Sequence, residues 1–301
     1  MKQDEILKAL DLFKMIEARH SVRTFSGEEI APKSLQAFRA FLAGRETPFG
    51  GDAQLHLVDL HETGDHSAKL THGVIKNARY FLAASVSSDA DFALCQVGFL
   101  LERAILFGTA LGLSSCVLGG TFRQERMAEL VQLPEDRILP VVAPVGFAAE
   151  AESLQGRLAS KLSKGGRRRE LEDICFDGEL GSPLNYFKVG GYYPALEAVR
   201  LAPSARNRQP WRLVFRDGVF HFYKAEVPAG MFAPRFDMTE IDMGIAMCHF
   251  HYAAENEGFA GKFRVKDPGL APGEERADYV ASWVPEQPVE VAPGFSGDEE
   301  Q

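Results

Sequence analysis

The chain has 301 residues, 46% of them hydrophobic and 25% charged, with a formal net charge of −9. That length makes one large domain or two smaller ones, with apolar residues enough for a sizeable core. The acidic balance argues against a broad nucleic-acid-binding face, although a local basic pocket is compatible with it.

The N-terminal stretch "MKQDEILKALDLFKMIEARH" is amphipathic and lacks the continuous apolar core of a signal peptide. Residues 4–18 carry Ile6, Leu7, Leu10, Leu12, Phe13 and Ile16 near a 3.6-residue period, which predicts a helix. "ARHSVRTFSGEEIAP" breaks the period, and residues 33–43 resume it after Pro32 and Ser34. "QLHLVDL" and "ARYFLAASV" read as strands, the second buried. Residues 91–112 form an apolar helix stopped by Gly112. "SSCVLGGTF" reads as a short extended segment and loop, 123–132 as a helix, and "ILPVVAPVGFA" as another buried strand.

A polar stretch, "SLQGRLASKLSKGGRRRELEDICFDGELG", reads as a connector. Helix returns at 192–201. "RLVFRDGVFHFYKA" is a hairpin turning at Asp217-Gly218, residues 240–258 are a mostly apolar helix, and "DYVASWV" is a last strand. The Pro- and acid-rich 285–301 reads as a disordered tail. No stretch reads as a membrane span. Cys95, Cys116, Cys175 and Cys248 show no CxxC or metal-type spacing, so free thiols in a reducing cytoplasm are expected.

The two halves echo each other. "GFLLERAILFGTALGL", from Gly98 to Gly112 and beyond, matches "GIAMCHFHYAAENEGF" from Gly244, with Gly258 again 146 residues after Gly112. "PFGGDAQLHLV" matches "PSARNRQPWRLV". The parallel order of several elements favours a duplicated unit over chance likeness. The copies are unequal: "ARHSVRTF" occurs only in the first and "PSARNRQPW" only in the second. If they pack about a pseudo-twofold axis, one composite site takes a motif from each, and its mirror image has neither.

Arg19, His20, Ser21 and Arg23 put two guanidiniums, an imidazole and a hydroxyl within five positions, a set able to hold a phosphate. Taken alone, the segment reads more readily as a solvated helix end. Pro203, Ser204, Ala205, Asn207 and Gln209 combine a fixed backbone, small residues and amides able to read a ring edge, with Trp211 anchoring the next strand; a plain helix-to-strand turn would look the same. The loop after "SSCV", with Leu118, Gly119 and Gly120, lets backbone N–H groups approach a ligand, or is a simple turn. The run Arg167, Arg168, Arg169 is a solvated face or a second phosphate contact. There is no Walker loop, GxGxxG or GxSxG, and His249 and His251 have no neighbouring carboxylate spaced as a metal ligand.

Together these motifs resemble the FMN-dependent nitroreductase superfamily. "IEARHSVRTF" is similar to its N-terminal "RRSxRxF" signature and "APSARNRQPW" to its "APSxxNxQPW" signature. "GTALGLSSCVLGGTF", "VVAPVGFAAE" and "RRRELEDI" resemble its central helix end, a strand and the terminal extension. The resemblance covers almost all of the first half and the second from 192 to 284. It is to the single-chain branch, and implies an α+β fold duplicated as an intramolecular pseudo-dimer: a first half over 1–155, a connector over 156–190, a second half over 191–284 and the tail.

The resemblance further implies FMN in one composite site. Arg19, His20, Ser21 and Arg23 would bind its phosphate end, and Arg168 or a neighbour would reach the phosphate. Pro203, Ser204, Ala205 and Asn207 would lie against the ring. Leu118, Gly119 and Gly120 would offer backbone contacts near it. NAD(P)H would reduce the flavin, which would reduce a nitroaromatic or quinone by ping-pong hydride transfer. The chain would act as a cytoplasmic monomer on a small-molecule acceptor, with no nucleic-acid or membrane partner. A flavin-binding module without turnover, or another flavin reaction on this fold, is the alternative.

Overall fold

A computed structural model describes residues 7, 10–150, 167–227, 235–270 and 276–289. The first residues of the expected N-terminal helix, the connector from 156 to 166 and the end of the acidic tail lie outside them.

The first half begins with α1 (Leu12–Ala18) and α2 (Pro32–Leu42), where Pro32 takes the first helical turn, the position that needs no N–H partner. β1 (Gln54–Asp59), the short helices α3 (Leu60–Thr63) and α4 (Ser67–Leu70), and β2 (Tyr80–Ser87) follow. Then come α5 (Ala93–Ala110), β3 (Ser114–Ser115), α6 (Gln124–Leu130) and β4 (Arg137–Gly146). These strands form an antiparallel sheet in the order β1-β2-β4-β3.

The second half repeats the plan. β5 (Cys175–Asp177) and α7 (Tyr193–Leu201) precede the hairpin β6 (Trp211–Arg216) and β7 (Val219–Ala225), then α8 (Met238–Asn256), β8 (Gly261–Arg264) and β9 (Ala277–Pro285). The second sheet runs β5-β6-β7-β9-β8. Without β5, the strands follow the same first-second-fourth-third order as in the first sheet. α8 sits between the second and third strands of its unit, as α5 does in its own. The topology thus bears out the duplication read from the sequence. β5 is the addition: it comes from the connector and pairs in parallel with β6, Leu213 N–H reaching Ile174 O at 2.8 Å.

Local chemistry sets several boundaries. The β6–β7 turn has Asp217 and Gly218 at φ 51° and 77°, the paired left-handed geometry that a tight hairpin requires. α5 and α8 close alike: Leu113 N–H reaches Gly108 O and Phe259 N–H reaches Ala254 O, both at 2.9 Å, around Gly112 and Gly258 at φ 78° and 85°.

The largest core cluster joins both halves. Its centre is α5 lying along α8. α5 is buried on every side from Cys95 to Gly108, because one face meets its own sheet and another meets α8. It is the one helix among the described residues long and apolar enough to span a membrane by length and composition, which corrects the expectation that no stretch approaches a span, although it is buried in the core. A helix with no solvent-facing side needs the same surface in a protein core as in lipid. At the crossing, a Cβ on Gly98 would fall 2.0 Å from Ile241 O, and one on Gly244 would fall 2.0 Å from Cys95 O. Cys95 and Ile241 are separated by the same 146 positions as the two glycines, so the contact is reciprocal about a pseudo-twofold axis. All four cysteines are buried and free.

Candidate functional site

The segment after α1 runs extended along the first sheet. Ser21 bridges Ser115 in parallel, Val22 N–H reaches Ser115 O and Phe25 N–H reaches Lys76 O, both at 2.9 Å. Buried Val22 and Phe25 pin the segment, so Ser21 and Arg23 are left on the outside. Arg19 and His20 are half-buried. His20 Nδ1 lies 3.0 Å from Ala18 O. A carbonyl only accepts, so Nδ1 is the donor. His20 Nε2 is buried and meets no partner among the described residues.

The loop between α7 and β6 carries Arg206, Asn207 and Gln209 at φ 56°, 56° and 51°. Non-glycine residues in this left-handed region persist where neighbours over-determine them. Here the neighbours are identifiable. Ser204 Oγ accepts from Gln209 N–H at 2.9 Å, and Gln209 Oε1 accepts from Arg169 N–H at 2.8 Å. Asn207 Nδ2 donates to Arg167 O at 3.1 Å. Ala205 N–H points into α8 and reaches both oxygens of Asp242, at 2.9 and 3.1 Å. Gln209, read from the sequence as a ring-edge reader, is 3% exposed and braces the loop against the connector. Trp211 is fully buried, the anchor expected of it.

Arg168 ties the parts together. It donates to Asn207 Oδ1 and, at 3.0 Å, to Leu201 O. Burial, then the charges of Arg19 and Arg200, push its pKa down to about 10. It therefore stays positive at neutral pH, in a place where two other guanidiniums oppose it and both described hydrogen bonds go to neutral oxygens. Arg19 from the first half, Arg168 from the connector and Asn207 from the second half thus share one locality. Arg167 and Arg169 are exposed.

The glycine loop reaches the same region from the first half. Leu118 is buried and bonded both ways to Val142, at 2.8 and 3.0 Å, so its N–H is already taken. Gly119 packs under Met238, the first residue of α8: a Cβ there would lie 2.0 Å from the Met238 sulfur. Gly120 is exposed. The contacts available to a ligand therefore narrow from three residues to Gly119 and Gly120.

The mirror position is built differently. The loop over 44–52, the counterpart of 203–209, is held down by Arg103, which donates to Gly44 O at 2.8 Å and Glu46 O at 3.2 Å. Arg137 donates to Asp52 O at 2.7 Å, and Phe49 stacks on Phe92 at 4.6 Å. The counterpart of the Arg19–Arg23 segment folds as a 3₁₀ stretch over Tyr186–Tyr192, whose Lys188 is paired with Asp177 at 2.6 Å.

Two buried features escaped the sequence reading, the first being the partner of His249. His249 lies between Glu102 Oε1 at 2.9 Å and Ala198 O at 2.8 Å, all three fully inside. Its carboxylate is 147 residues away on α5, so no local spacing could reveal it. Asp242 is the other. Its signal was a single acid within the apolar run "IDMGIAM".

Two sheets of one topology, fused in one chain and crossed at their central helices, are a duplicated nitroreductase-like fold. A family model described as "Putative TM nitroreductase" matches residues 11–254. The chain belongs to that family. A crystal structure of a "putative nitroreductase" from Thermotoga maritima is 17% identical and matches over 91% of this chain and 93% of its own, with a TM-score of 0.56. A nitroreductase with bound FMN from Bacteroides fragilis is 18% identical over 47% of this chain and 90% of its own, with a TM-score of 0.38. An FMN-dependent nitroreductase from Clostridium difficile is 17% identical over 46% and 91%, with a TM-score of 0.37. No curated protein matches the chain.

Proposed function

We propose that this chain is an FMN-dependent NAD(P)H oxidoreductase with one composite site, acting on a nitroaromatic or quinone acceptor. The observation that carries the reading is Arg168, a half-buried cation facing Arg19 and hydrogen-bonded to neutral oxygens. An anion placed there would offset the charges of Arg168 and Arg19, since Arg200 is already paired with Glu197.

The residues present fit FMN. Arg19 and Arg168 would hold its phosphate, with His20, Ser21 and Arg23 along the same segment. His20 Nε2 is an unsatisfied group on that side. The small residues Pro203, Ser204 and Ala205 present a backbone surface on which a flat ring can rest closely, with Asn207 fixing the loop beside it. Gly119, packed against Met238, and exposed Gly120 would offer their N–H groups to the ring. Bound FMN would supply the two-electron chemistry, accepting hydride from NAD(P)H and delivering it to the acceptor. The protein's share is to bind, orient and exclude water. The mirror loop, tied down by Arg103 and Arg137 and lacking both motifs, supports one site per chain and a monomer that is its own pseudo-dimer. Four buried free thiols suit a reducing cytoplasm.

Titration of the apo-protein with FMN, followed by flavin fluorescence, tests the reading together with steady-state NAD(P)H oxidation. One FMN per chain with turnover of a nitro or quinone acceptor is expected. Binding without turnover would leave a flavin-binding module, a different product would point to another flavin reaction, and no binding would overturn the proposal.

A further inference from the structure

We propose that Asp242 is a positioning residue for the 203–209 loop, capturing the Ala205 N–H and so setting the backbone surface that the site offers to its ligand. This rests on the reading of that loop as part of the site.

Asp242 is 2% exposed and belongs to α8, which the rest of the core holds rigidly. Both its oxygens lie within hydrogen-bond distance of one backbone N–H. That N–H belongs to the residue just before Arg206 and Asn207, the two consecutive left-handed residues of the loop. A backbone forced into this region needs a strong local bond to stay there. A carboxyl group with no other described partner is suited to that task. Burial raises the pKa of Asp242 to about 8, with Asp237 adding to the effect and Arg208 and the Ala205 N–H opposing it. An acid is a costly choice at this depth, and an apolar residue would avoid that cost only by leaving the Ala205 N–H without its acceptor.

The duplication supplies an internal comparison. The residue 146 positions earlier is Gln96, also 2% exposed, on α5. Its Oε1 lies 3.2 Å from Thr47 Oγ1, in the loop that mirrors 203–209. Both copies therefore use this helix position to hold their loop. Only the copy that carries "PSARN" uses an acid, and only there does the bond reach the backbone of the loop; the backbone contact of Gln96, at 2.8 Å, goes to Asp91 O outside it.

The test uses the full chain without ligand. Trypsin can cut after Arg206 or Arg208, inside the loop. Asp242→Leu should speed cleavage there by about tenfold or more, since the anchoring bond is lost. Asp242→Asn keeps an oxygen acceptor and should remain within about threefold of the parent. Gln96→Leu, at the same depth, should leave cleavage at these sites unchanged. Asp242→Ala serves the same arm should the leucine variant not fold. The FMN affinities of these variants should follow the same order. A parent rate of cleavage in both Asp242→Leu and Asp242→Ala would overturn the inference, and so would equal acceleration in Gln96→Leu, which would mark general core damage. If the parent binds no FMN, the functional proposal fails while proteolysis still decides the role of Asp242.

Discussion

Replacing Gly98 with alanine tests the axis that joins the two halves. The new Cβ would lie 2.0 Å from Ile241 O, 2.8 Å from Ile241 C and 3.1 Å from its Cα. These are backbone atoms of a buried helix and cannot rotate away, so α5 and α8 would have to part by about 1 Å or more. Overpacking of this kind costs about 1–3 kcal/mol, and a rigid opposing backbone places the cost at the upper end. Alanine's better helix propensity returns about 1 kcal/mol. The net loss should be about 2 kcal/mol, or roughly 3 °C in Tm for a chain of 301 residues. Gly244→Ala should behave alike, since it meets Cys95 O at the same distance. The double variant should cost less than the sum, because one separation of the helices accommodates both methyl groups. Urea unfolding of the three variants measures this. A neutral or stabilising Gly98→Ala, or full additivity in the double variant, would refute the reciprocal crossing.

Other expectations follow from single groups. Arg168→Ala should weaken FMN binding by about tenfold or more, whereas exposed Arg169→Ala should change it by no more than about twofold; titration calorimetry decides. Asp242 has a folded pKa of about 8 against an ordinary 3.8, so the folded chain holds an extra proton between those values. Stability should then fall as pH rises from 5 to 8, by up to about 1.4 kcal/mol per unit from this group, and Asp242→Asn should flatten that slope in urea melts. Equal slopes would refute the assignment. His249→Ala strands Glu102 in the core and should cost about 3–5 kcal/mol, while the paired change to Leu at both positions should regain most of the loss in the same assay.

How much of this was legible in the sequence depended on how local the cause was. Asp217-Gly218 and Gly112 act through their own backbone angles, and both turned where expected. The duplication was legible because the offset of 146 survives at Gly98, Gly112, Gly244 and Gly258, glycines retained by close approach or helix termination. β5 was not legible. "CFD" is three residues long, too short for alternation, and it is a strand only because the edge of β6 lies beside it. The candidate site was half-legible. The motifs named its parts, but the linking bonds join Arg168 to Asn207 and Asp242 to Ala205, across distances that no period encodes. Gln209 shows the limit: an amide reads the same in sequence whether it faces a ligand or, as here, its own connector.

The all-round burial of α5 has a consequence for synthesis. Every residue from Cys95 to Gly108 needs cover, and much of that cover is α8, which leaves the ribosome some 146 residues later. Until then the nascent first half carries an apolar helix with one face bare. A homodimer meets the same problem by finding a second finished subunit. A fused chain must wait for its own. Truncation anywhere before α8 should therefore yield an aggregating or chaperone-bound product, and not a smaller working flavoprotein.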